Sequence, residues 1–334
     1  MCGSLLLGIF MNFDDLITIG NLFQAWNEFR KGKMKKHDVQ LFERHLEDNL
    51  FELYHLLKTK TYRHGSYKEF YVNDPKRRHI HKATVRDRIA HHLLYKYLYE
   101  LFDKTFIYDS YSCRLDKGTH RGVKRLAFYV RKISKNYTDS CFALKLDIKK
   151  FFANVDHEIL LKLLKMRVVD QNIIWLLKQV IVSFNSEEND KGIPLGNLTS
   201  QIFANIYMNE LDQFVKHKLR IKYYLRYADD FIIISDNKDF LFPCINISQQ
   251  FLKEKLKLDL HPDKIIIRKL SWGIDFLGYI VLPYCIVPRT KTKKRMFKKI
   301  EERRSSPYFN QTLASYLGYL SHSCSYKILK RLEN

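Results

Sequence analysis

Three aspartates sit where the residue pattern belongs to a core. Asp229 and Asp230 lie together in YYLRYADDFIIIS (223–235), between an aromatic and aliphatic run and an almost purely aliphatic one, and Asp147 ends the alternating run FALKLD. If the strands that carry them are neighbours in one sheet, three carboxylates share a few ångströms. Like charges that close hold protons on one another, and buried charge has to be paired or ligated. A divalent cation resolves the conflict, since Mg²⁺ takes oxygen ligands, keeps several waters and is held by a few carboxylates together with substrate phosphates. Two such ions about 3.5–4 Å apart activate an attacking hydroxyl and steady a departing pyrophosphate in an in-line displacement. Read alone, ADD is equally an acidic turn and Asp147 a strand-end cap. Their joint presence, in order and with the motifs below, favours the metal site.

The elements that must position these acids are legible in the periodicity. SCFALKLD alternates through Phe142, Leu144 and Leu146 and delivers Asp147 at a strand end, and the chain turns helical after Asp156. KYYLRYADDFIIIS predicts two strands joined at Ala228 and Asp229, a hairpin with its acids at the tip. Between them, KGIPLGNLTSQIFANIYMNELDQFVKHKL opens on a Gly/Pro loop and becomes a long helix, with Ile202, Phe203, Ile206, Leu211 and Val215 on its apolar side. Near the start, apolar residues three and four apart (Leu22, Trp26, Phe29, then Leu41, Leu46, Leu50, Leu53, Leu57) predict amphipathic helices separated by RKGKMKKHD. YKEFYVNDPKRRHIHKA predicts a strand, a turn at DPK and a second strand, and TVRDRIAHHLLYKYLYELF a helix. Downstream, 251–258 predicts a helix, KIIIRKL and DFLGYIVL predict strands, and the basic tail from Thr290 is helical. Without internal repeats or low-complexity linkers, the chain reads as one integrated body.

With 334 residues and 46% hydrophobic content, the chain can bury a substantial core in two or three subdomains. Lysine plus arginine number 58 against 36 acids, a net +22 that points to a polyanionic partner, and 21 Tyr with 23 Phe offer faces for base stacking. Six scattered cysteines without a CxxC pair predict reduced, packing thiols in a cytoplasmic protein. MCGSLLLGIFM has no basic n-region and no small-residue cleavage site. Its apolar run of about seven residues is short of a signal peptide or a membrane span, so it reads as a leader, or translation begins at Met11. No other stretch approaches the ~18 apolar residues of a membrane helix. His79, His81, His91 and His92 invite a zinc reading. We set it aside here because no cysteine or carboxylate completes a familiar ligand spacing.

The ordered set ALKLDIKKFF, GIPLGNLTSQIFANIYMNELD, YYLRYADDFIII, LDLHPDKIII and FLGYIVL resembles the successive palm motifs of reverse transcriptases, and RRHIHKATVRDRIAHHLL resembles their fingers motifs. The resemblance spans about residues 60–290 and is specific through the combination, each motif alone being weak. It implies an α+β, right-hand polymerase fold: a helical N-terminal extension over 1–60, fingers over 61–140, a palm with an antiparallel sheet over 141–280 that takes a fingers insertion around 165–192, and a short helical thumb over 281–334. The implied activity is RNA-directed DNA polymerisation with two Mg²⁺ ions, replaceable by Mn²⁺. The implied partners are an RNA template, a DNA primer or RNA–DNA duplex, and dNTPs, with no membrane. Asp147, Asp229 and Asp230 look like the metal ligands, joined by the backbone carbonyl of Ile148. Phe152 looks like the steric gate against a ribose 2′-OH, with core packing as its plain alternative and Phe151 as the other candidate. Arg78 and Arg88 look like triphosphate clamps, whose guanidinium forks match phosphate oxygens; Arg77 and Arg86 are their alternates. Lys264, after LHPD, looks like the general acid that protonates pyrophosphate, with an exposed solubilising lysine as the alternative. Gly196 looks like the glycine that admits a template base pair, Gln201 belongs to the same nucleotide-binding motif, and Leu277, Gly278 and Tyr279 look like the primer-grip turn.

The LGNLTSQ stretch narrows the resemblance. Intron-encoded and retroviral enzymes usually carry a glutamine before this glycine and end the motif in Ser-Pro, whereas Leu195 precedes Gly196 here, a pattern similar to the reverse transcriptases of diversity-generating retroelements. The length leaves no room for an RNase H, integrase or endonuclease domain, as in the compact bacterial enzymes. A glutamine beside the incoming nucleotide hydrogen-bonds its sugar, and such polar contacts discriminate because a wrong fit leaves them unpaired. Leu195 offers shape alone. The resemblance therefore implies error-prone copying at template adenines for mutagenic retrohoming, with a small basic accessory variability protein as partner. The alternatives are a stand-alone enzyme of phage defence, a catalytically silent RNA-binding protein of polymerase shape, and metal-dependent phosphodiester hydrolysis. The last has no need of Phe152, the fingers arginines or the Gly196 loop.

Overall fold

The computed structural model describes residues 11–73, 76–186, 188 and 190–333. The first ten residues of the leader reading, Cys2 among them, and Asp74 and Pro75 of the DPK turn lie outside the described residues. The chain forms two compact units. Residues up to 106, 150–210 and 254–258 make the first, and 107–149, 211–253 and 259–334 the second.

The first unit is helical apart from one hairpin. Helices Ile19–Arg30 and Leu46–Lys58 bury Leu22, Trp26, Phe29, Leu50, Leu53 and Leu57 at the expected spacing, and both pack on the helix Val85–Phe102. The start of that last helix is fixed twice. The Thr84 hydroxyl accepts from the Asp87 N–H at 3.2 Å, an N-cap. The buried Asp87 carboxylate in turn accepts from the Tyr62 hydroxyl (2.8 Å), the Thr84 hydroxyl (2.6 Å) and the Gly65 N–H (3.1 Å). Strands β1 (Lys68–Val72) and β2 (Arg78–Lys82) pair antiparallel, Glu69 opposite His81 and Tyr71 opposite His79. The two-residue period puts Glu69, Tyr71, His79 and His81 on one face and Phe70, Arg78 and Ile80 on the other.

The second unit carries two antiparallel sheets. Strands β3 (Phe142–Asp147), β4 (Tyr224–Tyr227), β5 (Asp230–Ser235) and β6 (Ile266–Lys269) lie in the order β4-β5-β3-β6. Strands β7 (Ile274–Phe276), β8 (Tyr279–Leu282) and β9 (Cys285–Pro288) form the other sheet. The helix Thr119–Ile133 lays Val123, Leu126 and Val130 into one core with Leu225, Ile232 and Ile234 of the first sheet and Ile274, Phe276 and Val281 of the second. The basic tail is helical over Thr290–Glu302, Phe309–Leu320 and Tyr326–Glu333. The helix Leu241–Leu256 is longer than the 251–258 segment that periodicity predicts. Cys141 and Cys244 are buried as packing thiols, while Cys113 and Cys324 are exposed. Among the described residues no helix is long and apolar enough to cross a membrane. The α+β class expected from the sequence is the one observed.

Candidate active site

Strands β3 and β5 are direct neighbours, and their register sets Asp147 opposite Asp230. The β4–β5 hairpin closes on the pair Tyr227–Asp230, so Ala228 and Asp229 form a two-residue loop. Ala228 has φ 54°, a conformation that such loops usually give to glycine. An ion pair beneath the sheet holds this strained loop. Arg226, fully buried, donates to the Ala228 carbonyl at 3.0 Å, to both carboxylate oxygens of Asp212 at 2.8 and 2.7 Å, and to the Ser110 hydroxyl at 3.2 Å. The Tyr224 hydroxyl adds a further bond to Asp212 at 2.7 Å. Sequence reasoning missed Arg226 and Asp212. The available signal was an arginine at an inward position of a strand, two residues before the loop.

The acids are unevenly compensated. Lys264 Nζ donates to Asp147 Oδ1 at 2.6 Å, whereas Lys145 Nζ stands 3.5 Å from Asp230 Oδ1, a buried atom without a hydrogen-bond partner. Burial first, then the charges of Asp147 and Asp230, push the Asp229 carboxyl up to about 6. Burial also raises Asp230, with Lys145 opposing and Asp147 adding to the shift. Asp147 acts on both Asp229 and Asp230, although among the described residues no three carboxylates bring one ligand oxygen each within 4.8 Å of one another. Like charges repel, and Asp147 is drawn onto Lys264. The donor set suits a hard divalent cation: oxygen ligands, surplus negative charge, and one buried carboxylate oxygen with no donor. Ile148 faces Leu260 in a bridge flanked by Lys149 N–H to Asp259 O (2.9 Å) and His261 N–H to Asp147 O (2.8 Å). That non-hydrogen-bonded pairing turns the Ile148 carbonyl away from the Leu260 segment.

In the first unit, Phe152, Lys150, Phe184, Leu195, His79 and His81 line a cavity of about 450 Å³. Phe151 is buried in the core, which leaves Phe152 as the ring presented there. Residues 195–197 run along β2: the His81 N–H donates to the Leu195 carbonyl (3.0 Å), Asn197 Nδ2 to the His81 carbonyl (2.8 Å), and the Ala83 N–H to Asn197 Oδ1 (3.3 Å). Gly196 has φ 108°, and a Cβ there would meet Ile80 Cγ2 at 2.7 Å, a local reason for glycine that the sequence did not reveal. Gln201 is exposed on the helix Leu198–Gln213. Arg78 is exposed at the start of β2, on the face opposite His79 and His81. The Arg88 guanidinium is held by Asp38 at 2.5 Å, by the Thr84 carbonyl at 3.3 Å and over the Phe29 ring at 4.7 Å, contacts that tie it to the start of the helix Val85–Phe102.

In the second unit, Leu277 and Gly278 form the β7–β8 loop with φ 50° and 90°. The Gly278 carbonyl accepts from the Tyr319 hydroxyl (2.6 Å) and the Arg289 N–H (2.9 Å). The Tyr279 ring stacks on Tyr319 at 4.5 Å, and its hydroxyl donates to the Tyr319 carbonyl at 2.8 Å.

This motif order and this fold meet a known family. The reverse transcriptase (RNA-dependent DNA polymerase) family matches residues 72–281. The chain belongs to the reverse transcriptase family. Among curated proteins, the chain is 23% identical to the group II intron-encoded protein LtrA of Lactococcus lactis subsp. cremoris, over 75% of the chain and 52% of that protein. It is 25% identical to the putative COX1/OXI3 intron 2 protein of Saccharomyces cerevisiae, over 49% of the chain and 26% of that protein. It is 23% identical to protein YkfC of Escherichia coli K12, over 59% and 61%. The chain thus spans between about a quarter and three fifths of the length of these relatives. Among solved structures it shares the fold of the telomerase of Candida albicans, at 14% identity and a TM-score of 0.50, over 74% of the chain and 52% of that one.

Proposed function

We propose that this reverse transcriptase family member is an RNA-directed DNA polymerase working by two-metal nucleotidyl transfer. The observation that carries the reading is the β3–β5 register, which sets Asp147 opposite Asp230 with Asp229 in the adjoining loop. In this reading Asp147, Asp229, Asp230 and the Ile148 carbonyl hold Mg²⁺ or Mn²⁺. Such ions supply Lewis-acid activation of a primer hydroxyl and neutralise charge on the leaving pyrophosphate. Lys264, already on Asp147, delivers the proton that the pyrophosphate takes up. Phe152 and Leu195 line one cavity, and in this reading Phe152 is the steric gate and Leu195 the shape-only neighbour of the nucleotide. Arg78, on the hairpin face opposite that cavity, and Arg88, paired with Asp38, are the triphosphate clamps by their place in the motif. The Leu277–Gly278 loop steers the primer, its carbonyl fixed by Tyr319. An RNA template is supported by the intron-encoded relatives and by the telomerase neighbour, whose structure contains a telomeric RNA fragment.

Primer extension on an RNA template with Mg²⁺ or Mn²⁺ tests this. Asp229→Ala/Asp230→Ala should lose extension by about 10³-fold or more while binding RNA as the wild type does, and retained extension would refute the site. The stretch LGNLTSQ further supports mutagenic copying within a diversity-generating retroelement, with a small basic accessory protein. There, Leu195→Gln should lower misincorporation opposite template adenine by on the order of tenfold. An unchanged error spectrum in sequenced cDNA would remove that account and leave the stand-alone enzyme of phage defence.

A further inference from the structure

We infer that the β1–β2 hairpin holds a borderline divalent metal ion of the Zn²⁺ class on Glu69, His79 and His81. Sequence spacing hides this set, because Glu69 lies ten residues before His79 on another strand. Register assembles it: Glu69 pairs with His81, and His79 is the next residue on the same face of β2. His79 Nε2 stands 3.1 Å from Glu69 Oε2 and His81 Nε2 stands 3.8 Å from Glu69 Oε1, with the two imidazole centroids 4.3 Å apart. Among the described residues this is the one group of three potential ligands whose donor atoms all lie within 4.8 Å of one another. Two donors on a tetrahedral ion with bonds of about 2.0–2.1 Å are about 3.3–3.4 Å apart, so the His79 pair is already close to that spacing and the His81 pair has to close by a few tenths of an ångström.

The rings are also held in place. Tyr71 stacks on His79 at 4.6 Å and 10°, and Phe184 meets His81 edge-on at 4.7 Å. His81 Nδ1 is buried without a hydrogen-bond partner, so nothing in the hairpin dictates the tautomer against ligation. Two imidazoles and one carboxylate favour Zn²⁺ or Co²⁺ over Mg²⁺, which takes oxygen donors. Three protein ligands leave a coordination position for water or for an oxygen of a molecule in the cavity that both histidines line. The ion would tie β1, exposed along its whole length, to β2. A two-stranded hairpin on its own is marginal in water, and this one carries Arg78. The inference rests on the hairpin geometry and not on the polymerase reading, although Phe152 and Leu195 line the same cavity.

The test is a Co²⁺ titration of the full chain in excess Mg²⁺, which occupies oxygen-rich sites, followed by visible d–d absorption and displacement with Zn²⁺. One equivalent with nitrogen and oxygen character is expected, lost in His79→Gln/His81→Gln and weakened at least tenfold in Glu69→Gln. Hydrogen exchange supplies a second readout: Zn²⁺ should slow amide exchange over 68–72 and 78–82 in the wild type and not in Glu69→Gln. Unchanged Co²⁺ stoichiometry in the double histidine variant overturns the site. So does a thiolate charge-transfer band that survives in that variant, since it assigns the ion to cysteines. No effect of Zn²⁺ on exchange in the wild type leaves Glu69 as a simple ion-pair partner and also overturns it.

Discussion

Asp229 keeps its proton more tightly in the folded chain than an ordinary carboxyl does, titrating at about 6, first because it is buried and then because Asp147 and Asp230 face it. The sign follows from linkage: a folded pKa above the unfolded one means that ionisation costs stability, which falls as pH rises from about 4 to about 6 and stays reduced above that. With partial solvent screening, the cost at neutral pH is on the order of 2 kcal/mol. Asp229→Asn should therefore raise the melting temperature in chelator at pH 7.5 by a few degrees. Mg²⁺ or Mn²⁺ should stabilise the wild type, which gains an ion that binds only the folded form, and the variant much less. Calorimetry with and without metal decides it, and a variant no more stable than wild type in chelator contradicts the electrostatic account. At this scale the three acids were legible because charge inside apolar runs stands out. Arg226 was not, since its sequence neighbours give no sign that a guanidinium is fully buried on Asp212. Glu69 was not, since its tie to His79 and His81 exists only in the hairpin register.

Among the elements, strands with strict alternation were read from sequence, as were the Ala228–Asp229 hairpin and the helix that follows Thr84. The helix Leu241–Leu256 was half missed. Pro243 reads as a breaker although it sits in the first turn, where proline is tolerated, and exposed Phe242 and Ile247 blur the apolar stripe. Nor did the sequence show what the histidines of the helix Val85–Phe102 do. The Gly65 carbonyl fixes His64 as the Nδ1–H tautomer. His64 Nε2 then accepts from His91 Nε2–H at 2.9 Å, and His91 Nδ1 accepts the Thr199 hydroxyl at 2.6 Å. A proton added to His64 Nε2 faces the His91 Nε2–H, and one added to His91 Nδ1 forces the Thr199 hydroxyl to turn from donor to acceptor. Burial, with His64 next, pushes His91 down to about 3, and burial, with Lys33 and Arg88 next, pushes His92 down to about 4. Here the folded pKa lies below the unfolded one. Stability is therefore complete above about pH 6.5 and declines as pH falls toward 3–4, by up to about 1.4 kcal/mol per pH unit for each proton taken up on unfolding. Urea unfolding at pH 7, 6 and 5 should show this decline, and His92→Phe should flatten it by about one proton. A slope unaltered in that variant would remove His92 from the acid response.

For the molecule as a whole, the net +22 says that a polyanion is a natural partner but not which surface meets it. The helix Thr290–Glu302 is a specific place to look, since it buries Met296 and presents Lys291, Lys294 and Lys298 to solvent. Cations on an exposed helix bind nucleic acid chiefly by releasing counterions, so the logarithm of affinity falls linearly with the logarithm of salt, by about 0.7 per neutralised phosphate on a single strand. If roughly six phosphates are met, affinity for single-stranded RNA should drop about 10²–10³-fold between 50 and 200 mM salt. Replacing Lys291, Lys294 and Lys298 with glutamine should shrink that slope by about 2 if all three touch phosphate, and should do so equally for RNAs of unrelated sequence, because phosphate contacts carry no sequence information. Filter binding or anisotropy across a salt series reads both quantities. A flat wild-type response would mean that the surplus charge serves solubility alone, and an unchanged slope in the triple variant would move the contact off this helix.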